Sequence, residues 1–127
     1  MTRIEPELWV GDPSAAIDFY ARAFGATVLH RVGDDNEIVA QLAVGEARFW
    51  VSNAGERRLD PRVVGGSTSR TLLVVAHPDQ VAADAAAAGA EETSTVSDEH
   101  GWRLGRVMDP FGHEWEIGCP LGTWPPA

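Results

Sequence analysis

The chain has 127 residues, 44% of them hydrophobic and 23% charged, which fits one folded domain. Its formal net charge of −9 excludes the broad basic surface that nucleic-acid-binding proteins need. The longest apolar run, Leu72–Ala76, is far shorter than the roughly 20 residues that span a bilayer, and the N-terminus lacks the apolar stretch of a signal peptide. We therefore expect a cytoplasmic protein that does not contact the membrane. The single cysteine, Cys119, excludes an internal disulfide.

A weak internal repeat organises the chain. An apolar run at residues 7–10 is followed by Asp12-Pro13 and a helical stretch that ends in Gly25-Ala26. The run at 72–76 is likewise followed by a proline, in His77-Pro78, and by a helical stretch that ends in Gly89-Ala90. Asp12 is a good N-cap, proline suits the first helical position, and glycine can adopt the left-handed conformation that ends a helix. The helices are expected to bury Ala16, Ile17, Tyr20 and Phe24 in the first copy and Val81, Ala85 and Ala88 in the second.

Three strands are predicted after each helix, because short runs rich in strand-forming residues are separated there by turn-forming residues. They cover Thr27–Val32, Glu37–Val44 and Ala47–Ser52 in the first copy, and Glu91–Val96, Trp102–Met108 and His113–Gly118 in the second. The turns between them fall at 33–36, 45–46, 97–101 and 109–112. The polar stretch Asn53–Ser69 is interpreted as the connection between the copies and as a candidate lid.

Two segments carry a resemblance to a known family. One is Leu8-Trp9-Val10-Gly11-Asp12 with Ala16-Ile17-Asp18-Phe19-Tyr20 and Phe24-Gly25-Ala26, and the other is Asp109-Pro110-Phe111-Gly112-His113-Glu114-Trp115-Glu116. With the repeat between them, the chain resembles the vicinal-oxygen-chelate superfamily of glyoxalases, bleomycin-resistance proteins and dioxygenases, and its PhnB-like branch in particular. The resemblance implies an α+β fold of two βαβββ modules that form cupped, barrel-like half-sheets, and it implies a homodimer. Module one would cover about residues 3–53, the linker 54–69, module two 70–119 and a C-terminal tail 120–127.

The resemblance also marks the positions at which metal-dependent members hold their metal. Carried over one by one, these positions fall on Glu5, on Trp50 (or Phe49 if the register slips by one), on Arg70 and on Glu116. Tryptophan does not coordinate metals, and arginine stays protonated and repels a cation. A transition-metal site takes at least three good ligands, and no pair of histidines has a metal-binding spacing. We therefore expect neither a bound metal nor another cofactor.

The remaining cavity residues follow from the alternation of side chains along strands. The expected ligand-binding residues are Glu5, Glu7, Trp9, Arg48, Trp50, Arg70, Leu72, Trp102, Glu114 and Glu116. Together they describe an acidic, tryptophan-lined cavity. Because indole faces attract planar and cationic groups, such a cavity favours an aromatic or cationic ligand.

Three hypotheses about function follow. The first is a metal-free small-molecule-binding protein that sequesters an aromatic or cationic compound such as an antibiotic. The alternative is a lyase, isomerase or dioxygenase of the same superfamily. In that case Glu5 or Glu116 would be a metal ligand, or a general base whose pKa is raised by burial. The third is an interaction or regulatory module without enzymatic activity.

Overall fold

The computed structural model describes residues 1–34, 37–55 and 58–127, and two four-stranded sheets dominate it. The first sheet has the order β1-β4-β3-β2 and consists of β1 (Glu7–Val10), β4 (Ala47–Asn53), β3 (Val39–Val44) and β2 (Thr27–Val32). The second has the order β5-β8-β7-β6 and consists of β5 (Arg70–Val74), β8 (Glu114–Pro120), β7 (Trp102–Met108) and β6 (Glu91–Glu99). The parallel pairs are β1 with β4 and β5 with β8, the first and last strands of each module along the chain. The remaining pairs are antiparallel. The predicted α+β fold of two βαβββ modules is confirmed.

One long helix follows the first strand of each module. Helix α1 (Pro13–Phe24) begins where the Asp12 side chain accepts a hydrogen bond from the Ala15 N–H, and it ends at Gly25, whose φ of 70° is left-handed. Helix α3 (Pro78–Ala88) belongs to the second module, and the one-turn helix α2 (Pro61–Val64) lies in the connection between modules. No helix among the described residues is long and apolar enough to cross a membrane.

The two modules share one core. The face of α1 carrying Tyr20 and Phe24 packs against Phe49 of the first sheet and Trp115 of the second, with ring centroids 4.8–5.6 Å apart for the Tyr20–Phe49, Tyr20–Trp115 and Phe24–Trp115 pairs. Helices α1 and α3 are also in contact. Phe19, which the spacing argument left out of the helix's apolar face, is fully buried as well.

Some boundaries differ from the sequence prediction. Strand β6 continues to Glu99, so the turn to β7 shrinks to His100-Gly101, both with positive φ, as a two-residue hairpin turn requires. Glu5 lies ahead of β1 rather than on it, although the carbonyl of Pro6 still accepts a hydrogen bond from the Trp50 N–H. The second half of the predicted turn at 33–36, and residues 56–57 of the connection, lie outside the described residues.

Candidate functional site

Side-chain alternation gives each sheet one face against the helices and one outer face. In β1, Leu8 and Val10 are buried while Glu7 is exposed on the outer face. Glu7 lies opposite Trp50 in the parallel β1–β4 pair, and Phe49 is buried in the core. The register therefore places Trp50, and not Phe49, on the outer face with Glu7.

Glu5 is held on this outer face by three donors. Its Oε1 accepts hydrogen bonds from Nε2 of Gln41 at 2.8 Å and from the indole N–H of Trp50 at 2.9 Å. Its Oε2 forms an ion pair of 2.6 Å with Nε of Arg3. The hydrogen bonds from Gln41 and Trp50 hold the pKa of the Glu5 carboxyl below its usual value, because they stabilise the charged form. The general-base hypothesis expected the opposite direction for this residue.

Glu7 forms a second, separate group on the same face. Its Oε2 accepts hydrogen bonds from the Ser52 hydroxyl at 2.9 Å and from the indole N–H of Trp9 at 3.2 Å. The guanidinium of Arg58, from the connection, lies 6.0 Å from the centroid of the Trp9 ring and donates to the Ser52 hydroxyl at 3.4 Å. The Trp9 indole thus already has a cation against its ring.

The outer face of the second sheet carries a network of arginines and glutamates. Arg70 reaches Glu114 at 3.0 Å and Glu116 at 3.2 Å, and Nη2 of Arg106 reaches both Glu116 and Glu99 at 3.0 Å. Burial alone would lower the pKa of Arg106, but its hydrogen bonds to Glu99 and Glu116 raise the pKa above the usual value. Arg106 therefore stays charged, and the two guanidinium groups form ion pairs with the three carboxylates beside them.

The remaining predicted site residues lie around these groups. Leu72 is 43% exposed on the outer face of β5, and Arg48 is exposed on β4. A cavity of about 290 Å³ between the modules is lined by both of them and by Glu5. Trp102 lies on the outer face of β7, where its ring packs edge-on against Trp124 of the tail with centroids 5.3 Å apart.

The predicted residues thus lie on two outer faces, one on each sheet. Among residues 1–34, 37–55 and 58–127, no hydrogen bond or ion pair links the group around Glu5 and Glu7 to the group around Glu116. Of the four predicted glutamates, Glu5, Glu114 and Glu116 each have an arginine within 3.2 Å, whereas Glu7 makes no ion pair among the described residues. The sequence prediction included Arg48 and Arg70 in the cavity but missed Arg3 and Arg106, which pair with Glu5 and Glu116.

The residues at the family's metal positions do not fit a divalent cation. Trp50 presents an N–H donor to Glu5, and Arg70 places a guanidinium against Glu116 at 3.2 Å. A cation at either carboxylate would lie against a positive group or a donor hydrogen. In the part of the chain that the structure describes, no cluster of three or more histidine, cysteine, aspartate or glutamate residues could hold a metal ion.

Four residues that complete these groups were missed by sequence reasoning. Arg106 lies four residues after Trp102 in the same predicted strand, so alternation alone could have placed it on the outer face. Gln41 becomes visible only through the strand pairing, which sets it opposite Trp50. Arg3, the ion-pair partner of Glu5, lies ahead of β1, where strand alternation does not assign a face. Arg58 comes from an irregular connection, and no sequence signal marks its contact with Trp9.

Comparison with known proteins agrees with the observed fold. The model of the Glyoxalase/Bleomycin resistance protein/Dioxygenase superfamily matches residues 3–117. The chain belongs to this superfamily. It is 34% identical to uncharacterised proteins of Mycobacterium bovis and Mycobacterium tuberculosis, over 93% of this chain and 83% and 74%, respectively, of theirs.

Solved structures show the same fold. TioX from Micromonospora sp. ML1 is 27% identical, with a TM-score of 0.74 over 96% of this chain and 98% of its own. The fosfomycin resistance protein FosX from Mesorhizobium loti is 13% identical, with a TM-score of 0.68 over 97% of this chain and 93% of its own. Another FosX, from Listeria monocytogenes and complexed with Mn(II) and sulfate, is 14% identical, with a TM-score of 0.70 over 97% of this chain and 93% of its own. At 13% and 14% identity, the similarity to the two FosX proteins shows a shared fold and nothing further.

Proposed function

We propose that this superfamily member, of the PhnB-like branch, is a metal-free small-molecule-binding protein that takes up an aromatic or cationic compound. One observation carries the proposal: the positions at which relatives would hold a metal are used instead for the contacts Trp50–Glu5 and Arg70–Glu116. These contacts satisfy the polar groups of the site without a cation. They leave the outer faces suited to holding a ligand in place rather than to metal-assisted chemistry.

Two tryptophans of the first sheet support an aromatic or cationic ligand. Trp9 and Trp50 lie on the outer face of the first sheet, and each donates its indole N–H to a glutamate. This contact fixes the plane of the ring, so the ring face is preorganised for stacking. Sequestration of an antibiotic is the form of this function that we favour. In fold, the chain is similar to fosfomycin resistance proteins.

The enzymatic alternative has less support. A general base near neutral pH works best when its pKa is raised toward that pH. The pKa of Glu5 is lowered by its hydrogen bonds from Gln41 and Trp50, and Oε2 of Glu116 is occupied by Arg70 and Arg106. Neither carboxylate has the surroundings of a proton acceptor.

Calorimetric titration with a panel of aromatic cations and neutral aromatic compounds tests the proposal, together with elemental analysis of protein purified without chelators. We expect saturable binding of at least one compound and no stoichiometric metal. Trp50→Phe should weaken that binding about tenfold, the equivalent of about 1.4 kcal/mol, whereas Trp124→Phe, in the exposed tail, serves as the matched control. Stoichiometric Ni, Zn, Fe or Mn whose removal abolishes binding would refute the proposal, and so would a panel without any binding compound.

We also propose that the protein is a homodimer. Three apolar side chains on the outer faces support this: Val32 is 50% exposed, Leu72 43% and Val74 56%. A second copy that covered them would remove apolar surface from water, which stabilises association. Light scattering should give the mass of a dimer, and Val74→Arg should shift it toward the monomer. Val63→Arg, on α2, should leave it unchanged, and a monomeric wild-type protein would contradict the proposal.

A further inference from the structure

A recess, called here the Trp9 recess, lies between β1 and the connection between the modules. It has a volume of about 250 Å³ and is lined by Glu7 and Trp9 of β1, by Leu59, Pro61 and Val64 of the connection, and by His113 just before β8. Nε2 of His113 lies 2.8 Å from the backbone carbonyl oxygen of Trp9. This contact ties the second module to the wall of the recess.

The charge of the recess comes from Glu7. Glu5, Glu114 and Glu116 each have an arginine within 3.2 Å. Glu7, by contrast, makes no ion pair within the described ranges, and its Oε2 accepts hydrogen bonds only from the neutral donors of Ser52 and Trp9. A carboxylate whose hydrogen-bond donors are neutral has no ion-pair partner to offset its charge, so it attracts a cation to the recess.

The walls of the recess supply apolar and aromatic surface. Leu59 is 66% exposed and Val64 53% exposed, so both present apolar surface that a ligand would cover. The Trp9 ring already has the Arg58 guanidinium 6.0 Å from its centroid, although Arg58 does not line the recess. A planar cation is therefore chemically compatible with this indole.

We propose that the Trp9 recess binds a planar aromatic monocation of the amidinium or arylammonium type. The cation would pair with Glu7, and the aromatic ring would pack against Trp9, Leu59 and Val64. This inference rests on the proposed function, because it locates the ligand and assigns its charge. The cation would bind at the Glu7 carboxylate and not at the carboxylates that already pair with arginines.

Benzamidine and its neutral isostere benzamide are the probes. We expect benzamidine to bind at least about tenfold more tightly than benzamide, a difference of about 1.4 kcal/mol. Glu7→Gln should abolish the difference, while the matched variant Glu91→Gln, at an exposed carboxylate on β6, should keep it. Circular dichroism checks that Glu7→Gln retains the fold.

A second pair of variants tests the location without altering Glu7. Val64→Lys places a cation in the recess and should abolish benzamidine binding, whereas Val63→Lys, on the same helical turn but 81% exposed and outside the recess, should not. Equal binding of benzamidine and benzamide, or unchanged binding in Glu7→Gln, would overturn this inference while leaving the proposed function intact. If no compound of the wider panel binds, the proposed function itself fails.

Discussion

The hydroxyl of Tyr20 donates a hydrogen bond of 2.5 Å to Oδ2 of Asp109, across 89 residues of sequence. The same carboxylate, only 3% exposed, accepts hydrogen bonds from the indole N–H of Trp115 and from the backbone N–H groups of Phe111 and His113, each at 2.9 Å. Four donors thus satisfy a buried charge without a positive side chain. Because Tyr20 lies on α1 and Asp109 lies in the turn before β8, the bond fastens the first module to the strand that carries Glu114 and Glu116.

Loss of this bond should destabilise the protein. Tyr20→Phe removes one donor from a buried carboxylate, and we expect a cost of about 1–3 kcal/mol in the free energy of unfolding, measured by urea denaturation. The control is Asp18→Asn, which breaks the exposed Asp18–Arg22 ion pair on the same helix and should cost at most about 0.5 kcal/mol. Equal effects of the two substitutions would contradict the role assigned to Tyr20.

Tyr20 should also resist ionisation. Burial, followed by the charge of Asp109, raises the pKa of Tyr20 well above its usual value of 10.0. A group whose folded pKa is raised contributes stability below its unfolded pKa, and that stability is lost as the pH rises beyond it. Because Tyr20 is the only tyrosine, phenolate absorbance reports on it alone. We expect the phenolate signal to appear only together with unfolding, and an early signal from folded protein would refute this.

Ionised Glu5 should stabilise the folded protein, and this contribution should be lost at acid pH. Its hydrogen bonds from Gln41 and Trp50 lower its pKa below 4.5. Its stabilising contribution is therefore present above that pH and is lost as the pH falls through the folded pKa. Wild-type protein should lose stability relative to Glu5→Gln as the pH drops below about 4.5, whereas Glu91→Gln should track the wild type. Thermal unfolding at a series of acid pH values measures the difference, and parallel curves for wild type and Glu5→Gln would count against the contact.

Gly118 lies on β8 at a point where the neighbouring strand β7 leaves no room for a side chain. A Cβ atom there would lie 2.6 Å from the carbonyl oxygen of Arg103 and would collide with the side chain of Leu104 on the neighbouring strand. Gly118→Ala should therefore destabilise the protein by about 1–3 kcal/mol, because a backbone atom of β7 must shift. Gly122→Ala meets no atom within 4 Å and should be nearly neutral. Chemical denaturation of both variants compares the two.

Much of the fold followed from local sequence. The N-cap at Asp12, the left-handed Gly25 and the prolines that begin α1 and α3 are local features, and the structure has both helices where the repeat predicts them. Strands β2 and β7 match their predicted bounds. The end of β6 was missed because the turn-forming residues before His100 are held in the ladder by pairs such as Asp98 with Arg103.

The contacts within the candidate site were harder to predict from sequence, because they depend on tertiary structure. The alternation of residues assigned Glu7, Trp50 and Glu116 to outer faces, and the resemblance marked the metal positions. Sequence did not show which groups lie against each carboxylate, because Gln41 meets Glu5 across 36 residues and Arg70 meets Glu114 across 44. These contacts are set by strand order and register, which long-range pairing fixes.

The sequence by itself therefore determined the two long helices, the approximate strand bounds and part of the set of polar residues on the outer faces, since these depend on neighbours within a few positions. Only the tertiary structure decided that Glu114 and Glu116 are paired with arginines while Glu7 meets only neutral donors among the described residues. The reason is electrostatic. The effect of a charge depends on which groups lie within a few ångströms, and pairing between distant strands sets those distances.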